Sequence, residues 1–421
     1  MRGAPPLPTP STDRSYRALL AFPSVGRILL SMQIARIGQS MMAVAIVLFA
    51  LNAYHSPGLA GLATFFSIMP GLLASPVAGA LLDRHGRTRL VVLDYLVAMS
   101  VLVIMGILAH AHLLPAWLMM ALAGIASLTA PLSSTGLRSL FPILVPPALW
   151  ERANAIDSTG YVFATIVGPP IAATLVALSG GPAAMGAIGV TFGVAAVVVM
   201  RTPDPGTPGG RGRPLLRDAW DGLVYTWRNA TLRGLGWTLS VANLLNGTLN
   251  IAVPLLVLRR FQLDMRMVGL VFAVQGVAGL ISAILFGRHD SRDRERMMLG
   301  IPMIGAGVIA ALLLVDARFA SLLLVMAIIG ALGGPLDIAL FTLRQRRTEP
   351  AWTGRAFAVS MSFNYLGIPV GAALAGRLAA QSIETALAFG AAASVAAGVL
   401  VFAMVPAGGP ATAEDAVEAV P

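Results

Sequence analysis

The chain has 421 residues, of which 57% are hydrophobic and only 11% charged, and its mean hydropathy is +0.80. A soluble domain carries roughly a quarter charged residues, so soluble globular, disordered, collagen-like and disulfide-stapled classes are excluded. All 29 basic residues are Arg, against 19 acidic ones, and Cys is absent, which removes disulfides and thiolate metal sites. The sequence pI of about 11.1 fits Arg gathered at one membrane face, and no nucleic-acid partner is expected. Roughly 240 apolar residues, at ~20 per crossing, suffice for about twelve crossings.

Residues 1–25 are Pro-rich and polar and are read as a cytoplasmic segment without a cleavable signal. Three stretches free of Asp, Glu, Lys and Arg follow, 37–82, 95–137 and 158–200. Each holds most of two crossings, with a turn signal near its middle: Asn52 to Gly58, His110 to Pro115, Ser179 to Pro182. Residues 201–233 interrupt the apolar pattern. They open with a Pro/Gly/Arg linker and continue with Leu216, Trp220, Leu223 and Trp227 at helical spacing, with Arg217, Asp218, Asp221 and Arg228 between them. That pattern predicts a helix lying flat at the inner membrane surface. Six shorter charge-free stretches come next: 234–258, 267–287, 297–315, 319–336, 356–376 and 385–413. The tail 406–421 is small and acidic and is read as disordered.

The expected fold is therefore an all-α membrane protein of twelve transmembrane helices in two six-helix pseudo-repeats. The first bundle is 26–200, the second 234–405, and 201–233 joins them. Barrel strands are excluded by run length and by the lack of alternation. With residues 1–25 inside, 23 Arg fall at the cytoplasmic face and five outside (Arg259, Arg260, Arg266, Arg318, Arg377), while Arg36 lies within the first span. This bias places both termini in the cytoplasm. Short matches relate the halves: Gly168-Pro169-Pro170 to Gly367-Ile368-Pro369, Pro131-Leu132-Ser133 to Pro335-Leu336-Asp337, and Arg84-His85 to Arg288-His289. Repeated halves that rock around a central site are a layout of secondary transporters.

The loop between spans two and three reads Gly79-Ala80-Leu81-Leu82-Asp83-Arg84-His85-Gly86-Arg87-Thr88-Arg89-Leu90. Gly79 permits close helix approach and Gly86 a tight turn. Asp83 is suited to pair with Arg or to cap a neighbouring helix, latching one conformation. Asp94, near the inner end of span three, is read as support for this loop. The loop resembles the G-x-L-x-D-R-x-G-R-[KR]-x-x-L signature of the major facilitator superfamily. Gly79, Leu81, Asp83, Arg84, Gly86 and Arg87 match; Thr88 replaces a basic residue, and Arg89 restores the charge one position on. The second-half counterpart over 287–294 is degraded.

Three further stretches resemble the third drug:proton antiporter group of that superfamily, which includes macrolide and multidrug effluxers and the enterobactin exporter. They are Leu140 to Pro146 with Ala153-Asn154-Ala155, Gly222 to Trp227 leading to Leu232-Arg233, and Thr353-Gly354-Arg355-Ala356. Gly168-Pro169 also resembles the antiporter motif of span five, with Ala164, Ala172 and Ala173 where Gly is usual. The resemblance implies that this region blocks a proton leak and marks an exporter. It also implies that spans one, four, seven and ten line the cavity.

Polar groups inside a membrane are costly, and so they point to function. Gln33, Arg36 and Gln39 share a face of span one, and Asp157 and Tyr161 share one of span five. Asn243, Asn246 and Asn250 form a row on span seven; Asp337 lies in span ten and Asn364 in span eleven. Gln33, Arg36, Gln39, Tyr161, Asn243, Asn246, Asn250 and Asn364 are the substrate-cavity candidates. Related antiporters often carry an acidic residue near the Gln39 position, which here cannot titrate. Asp337 and Asp157 are therefore the proton-coupling candidates.

No phosphate-binding or zinc-protease motif is present, so no enzyme chemistry and no cofactor are expected. The driving force is a proton or solute gradient. The expected function is export of small amphipathic molecules, of drug, antibiotic or siderophore type, across the inner (cytoplasmic) membrane of a bacterium. The expected partners are a small-molecule substrate, protons and the lipid bilayer, with the chain acting as a monomer. Import or facilitated passage of one polar metabolite is the alternative in the same fold. A non-transporting membrane sensor or scaffold is the remote one.

Overall fold

A computed structural model describes residues 15–22, 24–146, 149–203, 215–287, 294–349 and 352–407. The polar N-terminus, the Pro/Gly/Arg linker, the second-half loop over 288–293 and the acidic tail lie outside the described residues.

Among the described residues the chain is helical, without strands. In lipid every backbone polar group needs a partner within the protein, and helices supply it locally. The elements are α1 (Tyr16–Leu20), α2 (Val25–Tyr54), α3 (Pro57–His85), α4 (Arg87–His110), α5 (Ala116–Leu144), α6 (Trp150–Val199), α7 (Leu215–Arg228), α8 (Ala230–Leu255), α9 (Met265–Phe286), α10 (Glu295–Ala311), α11 (Phe319–Arg346), α12 (Thr353–Tyr365), α13 (Gly367–Ala379) and α14 (Ile383–Met404). Side chains cap several starts: Ser56 accepts from Leu59 N–H, Asn229 from Leu232, Asp264 from Arg266 and Ser382 from Thr385.

Ten helical stretches among the described residues are long and apolar enough to cross a bilayer. Two features separate that number from twelve. α6 runs for 50 residues, and Gly180 inside it is not helical, with φ 77° and ψ 162°. α12 and α13, at 13 residues each, are individually too short. They meet around Leu366, and Pro369 in the first turn of α13 has no N–H to offer a preceding carbonyl.

α2, α3, α4, α5 and α6 pack chiefly on one another, as do α8, α9, α10, α11, α13 and α14. Two seams join these sets, α3 against α13 and α6 against α9. Both seams are lined by small residues. A Cβ on Gly61 of α3 would meet the Ala372 carbonyl, and one on Gly269 of α9 would lie 2.6 Å from Pro170 Cα. Both lie toward the end formed by the turns at His55, Gly180 and Gln381, which has few Arg. There Arg259 Nη2 also donates to His55 O at 3.0 Å, linking the sets. At the Arg-rich end the sets meet more sparsely, through α3 against α7 and α12.

α7 is clamped to the second set. Tyr225 stacks on Trp352 with ring centroids 4.9 Å apart, Asn229 Nδ2 donates to Arg347 O at 2.8 Å, and Glu349 N–H donates to the Tyr225 hydroxyl at 3.1 Å. Its Trp220, Leu223 and Trp227 are exposed.

Candidate functional site

Asp157 lies on the α6 face turned to α2 and α5. Its carboxylate is shared by two arginines. Arg36 of α2 donates Nη2 to Oδ1 at 2.5 Å, and Arg138 of α5 donates Nε to Oδ2 at 3.0 Å. Arg36 Nη1 also donates to the backbone carbonyl of Asp157 at 2.6 Å. The Arg36 and Asp157 side chains are 13% and 9% exposed, whereas Arg138 is 54% exposed. Charges this far from water persist only when paired and hydrogen-bonded. The Arg36 guanidinium also stands 5.8 Å from the Tyr161 ring centroid, where the ring face favours a cation. Beside the pair, α1, α2 and α6 border an open cleft of about 450 Å³, with Tyr16, Gln33, Arg36, Asp157 and Phe163 in its wall.

From Tyr161 the polar path crosses to the second set. Its hydroxyl interacts with that of Tyr365 on α12, and Tyr365 lies within electrostatic reach of Asp337 and Arg344 on α11. Tyr161, Tyr365 and Asp337 are exposed. Asp157, Arg36 and Tyr161 thus form one cluster between α2 and α6, and Tyr365 stands between that cluster and the field of Asp337.

The Asn row is used differently. Near the break between α12 and α13, Ser240 Oγ donates to Phe363 O at 2.6 Å and Asn243 Nδ2 to Asn364 O at 2.9 Å. Asn246 Nδ2 donates to Asn243 Oδ1 at 2.9 Å and remains exposed. Asn364 is buried. With its amide turned to suit its neighbours, it accepts from Arg344 Nη2 at 2.6 Å and donates to Ser360 O at 3.2 Å. Asn243 and Asn364 therefore hold α8, α11 and α12 together, and Asn246 is the member of the row open to solvent. Gln39 and Asn250 are half-buried.

In the loop between α3 and α4, Gly86 has φ 91°, a conformation that favours glycine, so its turn role is visible. Arg84 and Arg89 are exposed and Arg87 is buried at the start of α4. Gly79 and Asp83 fall in the last turns of α3, and the side chain of Asp83 lies outside what is described. Asp94 is buried against the hydroxyls of Ser133 and Thr129, tying α4 to α5. Gly168 packs on α2, where a Cβ would lie 3.3 Å from Met41 N, and Pro169 with Pro170 forms the wall met by Gly269.

Arg138 and Arg344 were not legible as site residues. Arg138 merely closes the 95–137 run, and Arg344 sits beside Arg346 and Arg347 like a loop residue. Arg344 is in fact fully buried. Among the described residues no cluster of His, Cys, Asp and Glu could hold a metal ion.

The profile of the Major Facilitator Superfamily matches residues 28–372 and 235–419. The chain belongs to that superfamily. Major facilitator proteins are membrane-embedded transporters, generally not enzymes and generally without cofactors. The uncharacterized MFS-type transporter y4rN of Sinorhizobium fredii is 34% identical over 395 residues, covering 93% of this chain and 97% of the relative. The multidrug efflux pump Tap of Mycobacterium tuberculosis is 25% identical over 370 residues, covering 83% and 86%. The crystal structure of the nucleoside transporter NupG aligns with TM-score 0.72 at 12% identity, over 90% of this chain and 100% of that one, a likeness of major facilitator fold.

Proposed function

We propose that this chain is a secondary transporter that exports small amphipathic molecules by alternating access, in exchange for protons. The carrying observation is the cluster of Asp157, Arg36 and Tyr161 on the first set of helices facing Tyr365 on the second, with Asp337 in electrostatic reach and glycine seams joining the two sets toward one end. The similarity to a multidrug efflux pump supports export over uptake.

On this reading α6 crosses twice, turning at Gly180, and α12 with α13 crosses once, giving twelve crossings. The bundles are 26–200 and 234–405, with α7 in the linker between them. The Arg-rich end and both termini face the cytoplasm of a bacterium, so the present state faces inward. The chain works as a monomer. Substrate loads from the cytoplasm beside Arg36, Tyr161 and Asn246 while Asp337 is ionised. After the sets rock, substrate leaves, a proton from outside neutralises Asp337, and the return stroke carries it in. The loop with Asp83, Arg84, Gly86 and Arg87 latches the inner face in the outward state.

Inside-out vesicles with an acid interior test this. Macrolides, tetracyclines, cationic dyes and catechol siderophores are added singly while a pH-sensitive dye reports proton release. Release by the wild type that disappears in Asp337→Asn is expected. Silence across the panel with folded, inserted protein would sink proton-coupled export and favour passage of a single polar metabolite.

A further inference from the structure

We propose that the α2–α6 cleft receives its ligand through an oxyanion, a carboxylate or phosphate head on an apolar body, rather than through a cation. This deepens the transport reading and rests on it for the site, though not for the direction of transport.

Three observations carry the inference. First, two guanidinium groups share one carboxylate, and both oxygens of Asp157 are engaged. Arg36 and Arg138 against the single Asp157 leave the cluster with one positive charge in excess, which favours an entering anion over an entering cation. Second, Gln33 lies one turn before Arg36 on the same wall, and its Nε2 is buried with no hydrogen-bond partner among the described residues. Leaving such a donor unmet is costly, so the site calls for an acceptor. Gly160 makes room for this amide: a Cβ there would meet Gln33 Oε1. Third, most of the remaining wall is apolar, including Leu29 and Phe163, with Tyr16 and Thr159 its other polar-bearing members, and about 450 Å³ is enough for a ring system or chain behind the head. A carboxylate seated between Gln33 and Arg36 would compete with Asp157 for the guanidinium, so binding bears directly on the central ion pair.

The test uses purified full-length protein in nanodiscs and a matched fluorescent series: 1-naphthylacetate, 1-naphthylacetamide and 1-naphthylmethylamine. Saturable binding of the acetate, at least about tenfold tighter than the amine, is expected. Arg36→Gln risks misfolding, so Gln33→Met is the diagnostic variant. Loss of one hydrogen bond to a charged group should weaken acetate binding about tenfold and leave amine binding unchanged, while removal of the unmet amide leaves the ligand-free protein at least as stable as wild type. Repeating the titration in phosphatidylglycerol against phosphatidylcholine discs separates the two sources of the head. Competition by phosphatidylglycerol assigns the cleft to a lipid phosphate, and indifference assigns it to a free carboxylate. Amine binding as tight as acetate, or Gln33→Met without effect on acetate, overturns the inference. Acetate binding in a protein silent in the vesicle assay defeats the export reading alone. Proton-coupled cation export without acetate binding defeats this inference alone.

Discussion

Arg36 holds Asp157 twice, through the side-chain carboxylate at 2.5 Å and through the backbone carbonyl at 2.6 Å. The second bond does not depend on the charge of Asp157. Asp157→Asn should therefore keep the α2–α6 register but strand a guanidinium in the membrane interior, costing about 3 kcal/mol. Arg36→Gln should cost less, because Arg138 still pairs Asp157, and the double variant should be less destabilised than the sum of the two. Thermal unfolding in detergent of the two single variants and the double gives the coupling; simple additivity would refute the pair.

The glycine seams hold one end shut. Gly61→Val and Gly269→Val each place a branched side chain against backbone, at Ala372 and at Pro170. Both should shift the population toward a state open at the Arg-poor end. Because the chain has no Cys, a single Ala375→Cys reporter, at a position fully buried in the α3–α13 packing, suffices. Its alkylation rate should rise several-fold in either variant, and an unchanged rate would argue that the seams do not gate that end.

Asn243 and Asn246 should separate by phenotype. Asn243→Ala leaves a carbonyl at the α12–α13 break without its donor, at a cost of about 1 kcal/mol in stability. Asn246→Ala, at an exposed position, should leave stability near wild type and change substrate flux. Equal flux defects with equal stability would contradict this division.

Gly180 and Gly186 form an internal control within α6. Gly180 has φ 77° and ψ 162°, so Gly180→Ala should destabilise by about 1–3 kcal/mol. Gly186 has open space where a Cβ would stand, and Gly186→Ala should be neutral or stabilise by up to about 1 kcal/mol. Melting temperatures of both variants decide it.

Much of the helix pattern was legible because hydrophobic run length is a strong signal in a chain that must satisfy its backbone in lipid. The turns at Asn52 to Gly58 and His110 to Pro115 carry polar or helix-breaking residues and match the ends of α2 and α4. The break between α12 and α13 was not legible. Residues 356–376 are uniformly charge-free, and Pro369 marks the break only once the donors on α8 are known. The site was half legible for a similar reason. Arg36 announces itself in an apolar run and Asp157 stands at the edge of one, which makes their pairing readable as one of the options, but the second partner of Asp157 is not. Arg138 and Arg344 stand next to loops, and sequence cannot tell an arginine that faces water from one that turns inward.

The clamp on α7 sets how the molecule meets its surroundings. Through Tyr225, Asn229 and Trp352 this helix is a rigid appendage of the second set of helices. With α7 at the inner membrane surface, as its sequence pattern predicts, a swing of that set would drag the exposed Trp220 and Trp227 through the headgroup layer in which such indoles settle. The bilayer then acts as a mechanical load on the cycle, and turnover should follow lipid packing even when gradient and cargo are held constant.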